Sequence, residues 1–173
     1  PGRTSDAVAR WVHDCAAKRG DAEFVLVDLA DFGLPHLDEP VPPLLGQYSR
    51  PHTKAWAKTI ASFDGFVFVT PEYNRSTTGV LKNAIAFLYA EWNNKAAGFV
   101  GYGAQGGLRA AEHLRTMMGE LQVADVRKQV ALGAYTDFVD LTRFQPADHQ
   151  EDAVTTMRDQ VAAWAGALRP LRA

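Results

Sequence analysis

The chain has 173 residues, a formal net charge of −2 and a hydrophobic content of 47%. This length suits a single domain, which we place at residues 1–173. The small net charge argues against a nucleic-acid-binding protein, because such proteins usually carry a clear basic excess. No apolar run approaches the ~20 residues that a membrane-spanning helix needs. No signal peptide is recognisable, so we expect a cytoplasmic protein.

The first half of the chain alternates amphipathic segments with short apolar runs. Apolar residues recur at helical spacing over 4–19 and again over 51–62, which predicts two helices. Residues 23–28 (EFVLVD) and 66–69 (FVFV) are typical of strands buried in a parallel sheet. Between them, residues 31–50 are rich in Pro and Gly, and a loop of this length is usually functional or an oligomer contact.

The second half continues the same alternation. Strands that alternate with helices predict a parallel sheet covered on both faces by helices. The remaining predicted elements are a helix from Ser76 to about Ala90, a strand at 97–102, a helix at 108–121, a strand at 126–133, a loop at 134–147 and a closing helix at 148–168.

The predicted order begins with a helix, and this affects how the sheet is interpreted. A flavodoxin-like sheet of five parallel strands has the order 2-1-3-4-5, so its first strand is central. The sequence contains four predicted strands, and none precedes the first helix. We therefore expect a flavodoxin-like three-layer α/β/α sandwich whose first strand is absent from this sequence. We also expect the gene to encode a further apolar strand immediately before Pro1.

The loop at 70–75 is a candidate ligand-binding loop. It follows a buried strand and leads into a helix, and open α/β sheets bind ligands at this edge. Pro71 stiffens the exit from the strand, and Glu72 and Asn74 supply polar groups. Tyr73 can lie along a flat heterocycle. The alternative is an ordinary turn with a surface tyrosine.

The start of the chain is a candidate anion site. Gly2 begins a turn into a helix, and Arg3, Thr4 and Ser5 add a cation and two hydroxyl groups. The N–H groups at a helix N-terminus favour a phosphate. The alternative is an ordinary helix start with an exposed arginine.

A third candidate is the glycine-rich segment 101–106, which matches the letters of the dinucleotide fingerprint G-x-G-x-x-G. That fingerprint belongs to the first strand and requires an acid at the end of the next strand, whereas Asp125 precedes a strand. We therefore interpret the glycines as permitting close approach of the backbone to a ligand, and not as an NAD site.

Histidine and cysteine provide no further site. The five histidines have no metal-binding spacing, and Cys15, the only cysteine, lies within a predicted helix where a buried apolar role is expected. We assign no metal ligand and no catalytic side chain.

Together these segments resemble the NADPH-dependent FMN reductases, a flavodoxin-like family that includes quinone, chromate and azo-dye reductases. The most specific part is TPEYN at 70–74 followed by GVLKNAI at 79–85. The other matching segments are Pro1-Gly2-Arg3, Leu34-Pro35, Asp38-Glu39-Pro40 and Gly106-Gly107.

The resemblance implies FMN as cofactor and NADPH as electron donor. It places the FMN phosphate at the start of the chain, the isoalloxazine ring at the loop after residue 70, and the pyrimidine edge of the ring at the glycine loop. Arg75 stands where glycine is common in the family; it is a candidate contact of the NADPH 2′-phosphate, with a solvated arginine as the alternative. The implied cofactor-binding residues are Arg3, Thr4, Ser5, Pro71, Glu72, Tyr73, Asn74, Arg75, Tyr102, Gly103, Gly106 and Gly107.

The implied function is a ping-pong oxidoreductase that passes a hydride from NADPH through FMN to a quinone-type or other small-molecule acceptor. Catalysis centred on the flavin needs no acid or base from the protein. The resemblance further implies a homodimer or homotetramer, with loop 31–50 and Glu91-Trp92 as interface candidates. Two alternatives stay open at this point: a non-enzymatic electron carrier of the flavodoxin type, and a flavin-free module that acts through protein contacts.

Overall fold

The computed structural model describes residues 3–172 and contains one central parallel sheet flanked by helices. Its three strands lie side by side in chain order, with Phe68 beside Phe99 and Tyr102 beside Leu132. The principal elements are α1 (Thr4–Ala17), α2 (Pro51–Ala61), β1 (Gly65–Pro71), α3 (Gly79–Ala86), β2 (Ala96–Gly103), α4 (Leu108–Glu120), β3 (Ala124–Gly133), β4 (Phe138–Val139), β5 (Arg143–Phe144) and α5 (His149–Leu168).

The sheet separates two hydrophobic clusters, one on each face. Successive side chains of a strand point to opposite faces. In β1, Phe66 and Phe68 accordingly pack with α2, α3 and α4, whereas Val67 and Val69 pack with α1 and α5. The predicted three-layer α/β/α arrangement is confirmed. Cys15 is buried in the second cluster, as its helical position predicted.

The strand predicted at residues 23–28 is wrong, since none of these residues pairs in a sheet. A cleft of about 1720 Å³ separates this segment from β1. Val25 and Leu26 are 55% and 40% exposed, although the sequence suits them to a buried strand. A strand forms only when its backbone N–H and C=O groups find partners on a neighbouring strand. Here the neighbouring backbone lies across the cleft, out of reach.

The helix predicted at 76–90 and the loop predicted at 134–147 also differ from the structure. The helix predicted from Ser76 begins at Gly79, because Thr78 caps it by accepting a 3.2 Å hydrogen bond from the Leu81 N–H. It ends at Ala86, and residues 90–92 form a separate 3₁₀ turn. The loop predicted at 134–147 contains the antiparallel pair β4 and β5.

The long loop at 31–50 is held to the helices beside it. Asn83 of α3 donates to the Pro35 carbonyl at 2.7 Å and accepts from the Leu37 N–H at 3.1 Å. Glu39 accepts from the N–H groups of Ser49 and Arg50, immediately before α2, at 2.8 and 2.9 Å. The loop therefore has a defined conformation despite its proline content.

Within residues 3–172, no helix combines the length and apolarity needed to cross a membrane. The cytoplasmic location expected from the sequence stays a prediction.

Candidate functional site

The predicted ligand-binding segments converge at one end of the cleft, where the strands of the sheet terminate. The carboxyl ends of β1 and β2 meet there with the N-terminus of α1, as expected for an open α/β sheet. The predicted site residues that line the cleft are Arg3, Thr4, Ser5, Pro71, Glu72, Tyr73, Tyr102 and Gly103. The predicted residues outside its lining are Asn74, Arg75, Gly106 and Gly107.

The loop after β1 is a tight hairpin. The Tyr73 N–H donates to the Ser76 carbonyl at 2.9 Å, and the Ser76 N–H donates to the Tyr73 carbonyl at 3.0 Å. Both central residues, Asn74 and Arg75, have left-handed backbone conformations, with φ of 49° and 68°. Such a pair is the signature of a type I′ turn. The hairpin holds Tyr73 at the mouth of the cleft with 65% of its surface exposed, where it can stack on a planar ligand.

Glu72 connects this hairpin to the neighbouring helix. Its N–H donates to the Tyr102 carbonyl at 2.9 Å. Its carboxylate accepts from the backbone N–H of Arg109 at 3.0 Å and from the Arg109 guanidinium at 2.6 Å. Burial by itself would raise the pKa of Glu72, but the bonds from Arg109 hold it below its usual value. The carboxylate of Glu72 is thus committed to the first turn of α4, and the assignment of Glu72 to flavin binding stays a prediction.

Two further contacts fix the hairpin. Ser76 Oγ lies 2.8 Å from Nδ1 of His113, and the buried hydroxyls of Thr70 and Thr77 are 2.8 Å apart. Neither His113 nor Arg109 was identified from the sequence. Both follow the glycine loop in α4, but their pairing across more than thirty residues has no local sequence signal.

The end of β2 meets the first turn of α1. Burial raises the pKa of Tyr102 to about 12, and the nearby Ser5 hydroxyl opposes that rise through a hydrogen bond. The Tyr102 ring also packs against Phe138, with 6.1 Å between the ring centroids. These contacts bring together two of the three predicted ligand-binding segments.

Arg3 forms an ion pair within the chain, and its assignment to the FMN phosphate stays a prediction. Its guanidinium forms a two-point ion pair with Asp28, at the end of the segment 23–28, with Nη1 to Oδ1 at 3.0 Å. The hydrogen bonds from Arg3 lower the pKa of Asp28 to about 2. Thr4 and Ser5, in the first turn of α1, are thus better placed to receive an anion. Pro1 and Gly2, which belong to the predicted phosphate loop, lie outside the described residues.

The two adjacent glycines of the glycine loop pack closely on the sheet. Gly107 has φ of 68°, and a Cβ there would lie 2.5 Å from the Cα of Gly101. A Cβ on Gly106 would lie 2.9 Å from the Cβ of Ala131 on β3. These two glycines therefore permit a close backbone approach to β2 and β3, and their predicted approach to a ligand stays a prediction. Gly103 is the glycine of this loop that lines the cleft.

The residues at this end of the cleft fit a flavin mononucleotide. Tyr73 offers an aromatic face for a tricyclic ring, and the Tyr102-Gly103 backbone offers peptide groups at its edge. Thr4, Ser5 and the positive end of α1 suit a phosphate.

Comparison with known proteins identifies the family. Residues 1–137 match the family described as NADPH-dependent FMN reductase. This chain belongs to that family. The predicted resemblance is thereby confirmed, and with it FMN as the cofactor and NAD(P)H as the electron donor of the family.

The named relatives agree with this assignment. The chain is 39% identical over 145 residues to an NAD(P)H-dependent FMN reductase of a Nectria species, covering 78% of this chain and 72% of that protein. It is 42% identical over 123 residues to an NAD(P)H-dependent FMN reductase of Schizosaccharomyces pombe, covering 70% of this chain and 62% of the relative.

Solved structures support the fold. The flavoenzyme FerB, an NAD(P)H:(acceptor) oxidoreductase from Paracoccus denitrificans, superposes with a TM-score of 0.67 at 20% identity, covering 98% of this chain and 92% of that one. The apo form of an NADH:FMN oxidoreductase, EMOB, gives a TM-score of 0.66 at 20% identity, covering 92% and 83%. The predicted flavodoxin-like α/β fold is confirmed at this level.

Proposed function

We propose that the protein is an NAD(P)H-dependent FMN oxidoreductase that reduces quinone-type acceptors. The observation that carries this proposal is the convergence of Tyr73, Tyr102 and the start of α1 at one end of the cleft, in a chain of this family. A 2-hydroxy-1,4-benzoquinone reductase of a Burkholderia species, 30% identical over 119 residues, supports a quinone as acceptor.

FMN, when bound, supplies the relay by which a hydride leaves a nicotinamide and reaches an acceptor. The chain's own residues would hold it. Thr4, Ser5 and the N-terminal N–H groups of α1 would bind its phosphate, and Tyr73 would lie along its ring. Peptide groups at Tyr102 and Gly103 would face the pyrimidine edge, where backbone N–H groups favour negative charge.

The remaining predicted site residues divide by role. Pro71 and Asn74 shape the hairpin beside the ring. Arg3 is kept as a candidate cofactor-binding residue because it lies at the mouth of the cleft. We assign Gly106 and Gly107 to positioning, since both pack on the sheet.

We further propose that the complete sheet has five strands in the order 2-1-3-4-5, with its first strand in the cleft between segment 23–28 and β1. The volume of the cleft, the unpaired segment and the exposure of Val25 and Leu26 support this order. Hydrogen exchange on the protein expressed from its whole gene tests it. Slow exchange of the amides at 24–27 would support a strand between them and β1, and rapid exchange would contradict it.

We also propose that the protein forms a homodimer or homotetramer. Support comes from the exposed apolar side chains of loop 31–50, where Leu44 and Leu45 are 65% and 57% exposed. The interface candidate Trp92 needs correction, because it is 1% exposed and packs in the core. Glu91 accepts a 2.7 Å hydrogen bond from Tyr48 of that loop. Sedimentation analysis of the wild type and of Leu44→Ser and Leu45→Ser tests this proposal. The wild type should sediment as a dimer or tetramer and the variants should shift toward the monomer, whereas a monomeric wild type would contradict it.

The function is tested with purified protein in two steps. An absorbance spectrum after addition of FMN reports flavin binding, and anaerobic addition of NADPH should bleach the flavin band. Steady NADPH oxidation with a benzoquinone then supports the oxidoreductase. Flavin binding without any NADPH-dependent bleaching would favour an electron carrier, and absence of flavin binding would favour a flavin-free module.

A further inference from the structure

Arg75 occupies a backbone position that disfavours arginine. Its φ of 68° lies in the left-handed region, at the second central position of the two-residue turn from Tyr73 to Ser76. Glycine adopts this conformation without steric cost, and asparagine, as in the preceding Asn74, tolerates it. A side chain kept at a strained position beside a ligand site is grounds for a hypothesis of function.

The turn cannot relax easily, because its base is fixed on both sides. Glu72 is bound to Arg109, and Ser76 is bound to His113. These contacts join the hairpin to α4 and hold Arg75 at its outward tip. The side chain of Arg75 is exposed there, beside the Tyr73 ring that faces the cleft.

Arg75 differs from the arginines of α4 in having no acidic partner among the described residues. Arg109 is neutralised by Glu72 at 2.6 Å, and Glu112 of the same helix lies 3.7 Å from Arg115. Among residues 3–172, no carboxylate oxygen lies within 4.0 Å of an Arg75 nitrogen. The guanidinium is thus available to an external anion.

We propose that Arg75 binds the 2′-phosphate of NADPH and makes the protein prefer NADPH to NADH. This inference rests on the proposed function, in which a nicotinamide must reach the ring beside Tyr73. The adenosine half of the dinucleotide then leaves the cleft across the exposed tip of the hairpin. A guanidinium suits this role because it donates two parallel hydrogen bonds to a phosphate. The imidazole of His113 lies at the base of the same hairpin, with Nδ1 2.8 Å from Ser76 Oγ.

The experiment compares three variants in the flavin-loaded protein. Arg75→Asn removes the charge but tolerates the left-handed backbone, and Arg75→Lys keeps the charge without the planar fork. Arg127→Asn, an exposed arginine on β3, is the control for loss of one positive charge. KM is measured for NADPH and for NADH with each protein, and the dissociation constants of 2′,5′-ADP and 5′-AMP are measured by calorimetry.

Arg75→Asn is expected to raise the KM for NADPH and the dissociation constant of 2′,5′-ADP about tenfold, the loss of roughly one charge-assisted contact. NADH and 5′-AMP should change less than twofold, Arg75→Lys should fall between, and Arg127→Asn should match the wild type. Equal effects on both dinucleotides, or none on 2′,5′-ADP, would overturn the proposal. If the wild type oxidises neither dinucleotide but 2′,5′-ADP binding still depends on Arg75, the proposed function fails and the anion site stands.

Discussion

The carboxylate of Glu72 accepts hydrogen bonds from both the backbone N–H and the guanidinium of Arg109, at 3.0 and 2.6 Å. This pairing joins the hairpin after β1 to the first turn of α4. Because α4 directly follows the glycine loop, this pairing also fixes the glycine loop relative to the hairpin. The position of Tyr73 relative to Gly103 therefore depends on the contact between Glu72 and Arg109.

Glu72→Gln should weaken FMN binding without removing the fold. The amide retains the shape of the side chain but loses the charge that holds the Arg109 guanidinium. We expect a loss of about 1–3 kcal/mol in the free energy of unfolding and about a tenfold rise in the FMN dissociation constant. Fluorescence titration and urea unfolding measure these two quantities.

Glu112→Gln is the matched control for that variant, since Glu112 is an exposed acid on α4, the helix to which Glu72 binds. It should leave both quantities close to the wild-type values. If Glu72→Gln also bound FMN with unchanged affinity, the hairpin would not depend on its bond to α4.

Gly107→Ala should be far more damaging than its size suggests. The added Cβ would lie 2.5 Å from the Cα of Gly101, and φ of 68° is unfavourable for alanine. We expect a loss of 3 kcal/mol or more, roughly the effect of overpacking combined with backbone strain. Thermal unfolding of the purified variant provides the measurement.

Gly119→Ala provides the contrast, because a Cβ at that position in α4 meets nothing within 4 Å. Alanine is about 1 kcal/mol more favourable than glycine inside a helix, so this variant should be more stable than the wild type. Similar effects of the two substitutions would mean that the glycine loop does not pack closely on β2.

The layered fold could be predicted because its signals are local. The apolar run of β1 and the helical spacing of α5 are complete within their own segments. The segment 23–28 carries the same kind of signal, yet it does not form a strand, because strand formation depends on a partner that its own residues do not encode. The close packing of Gly107 on Gly101 could not be predicted, because it joins two segments whose spatial relation only the structure shows. Arg109 reaches the site by pairing with Glu72, which is distant in the sequence. No spacing pattern predicts such a long-range pair.

Acid should destabilise the protein partly through Glu39. Desolvation would raise the pKa of Glu39, but hydrogen bonds from the N–H groups of Ser49 and Arg50 and from the Ser49 hydroxyl lower it to about 2. A carboxylate with a lowered folded-state pKa contributes stability above its unfolded value near 4.5, and that contribution is lost as the pH falls toward 2. After allowance for its partial exposure, we expect about 1–2 kcal/mol from this group.

Urea unfolding between pH 6 and pH 2.5 tests the role of Glu39. The Glu39→Gln variant should be less stable than the wild type at pH 6 and should lose less stability on acidification. Parallel pH profiles for the two proteins would assign the acid sensitivity to other carboxylates, such as Asp28.

Arg75→Gly should stabilise the protein. The left-handed backbone at this position costs a residue with a Cβ about 1–2 kcal/mol, and glycine removes that cost. Part of the gain is offset, because glycine gives the unfolded chain more freedom, by about 0.4–1 kcal/mol. We expect a net gain of about 0.5–1 kcal/mol, or a Tm higher by about 1–4 °C for a domain of this size.

Asn74→Gly should gain less, because asparagine already tolerates φ of 49°. Differential scanning calorimetry of both variants measures the difference, and a lower Tm for Arg75→Gly would mean that the arginine is held by contacts and is not strained.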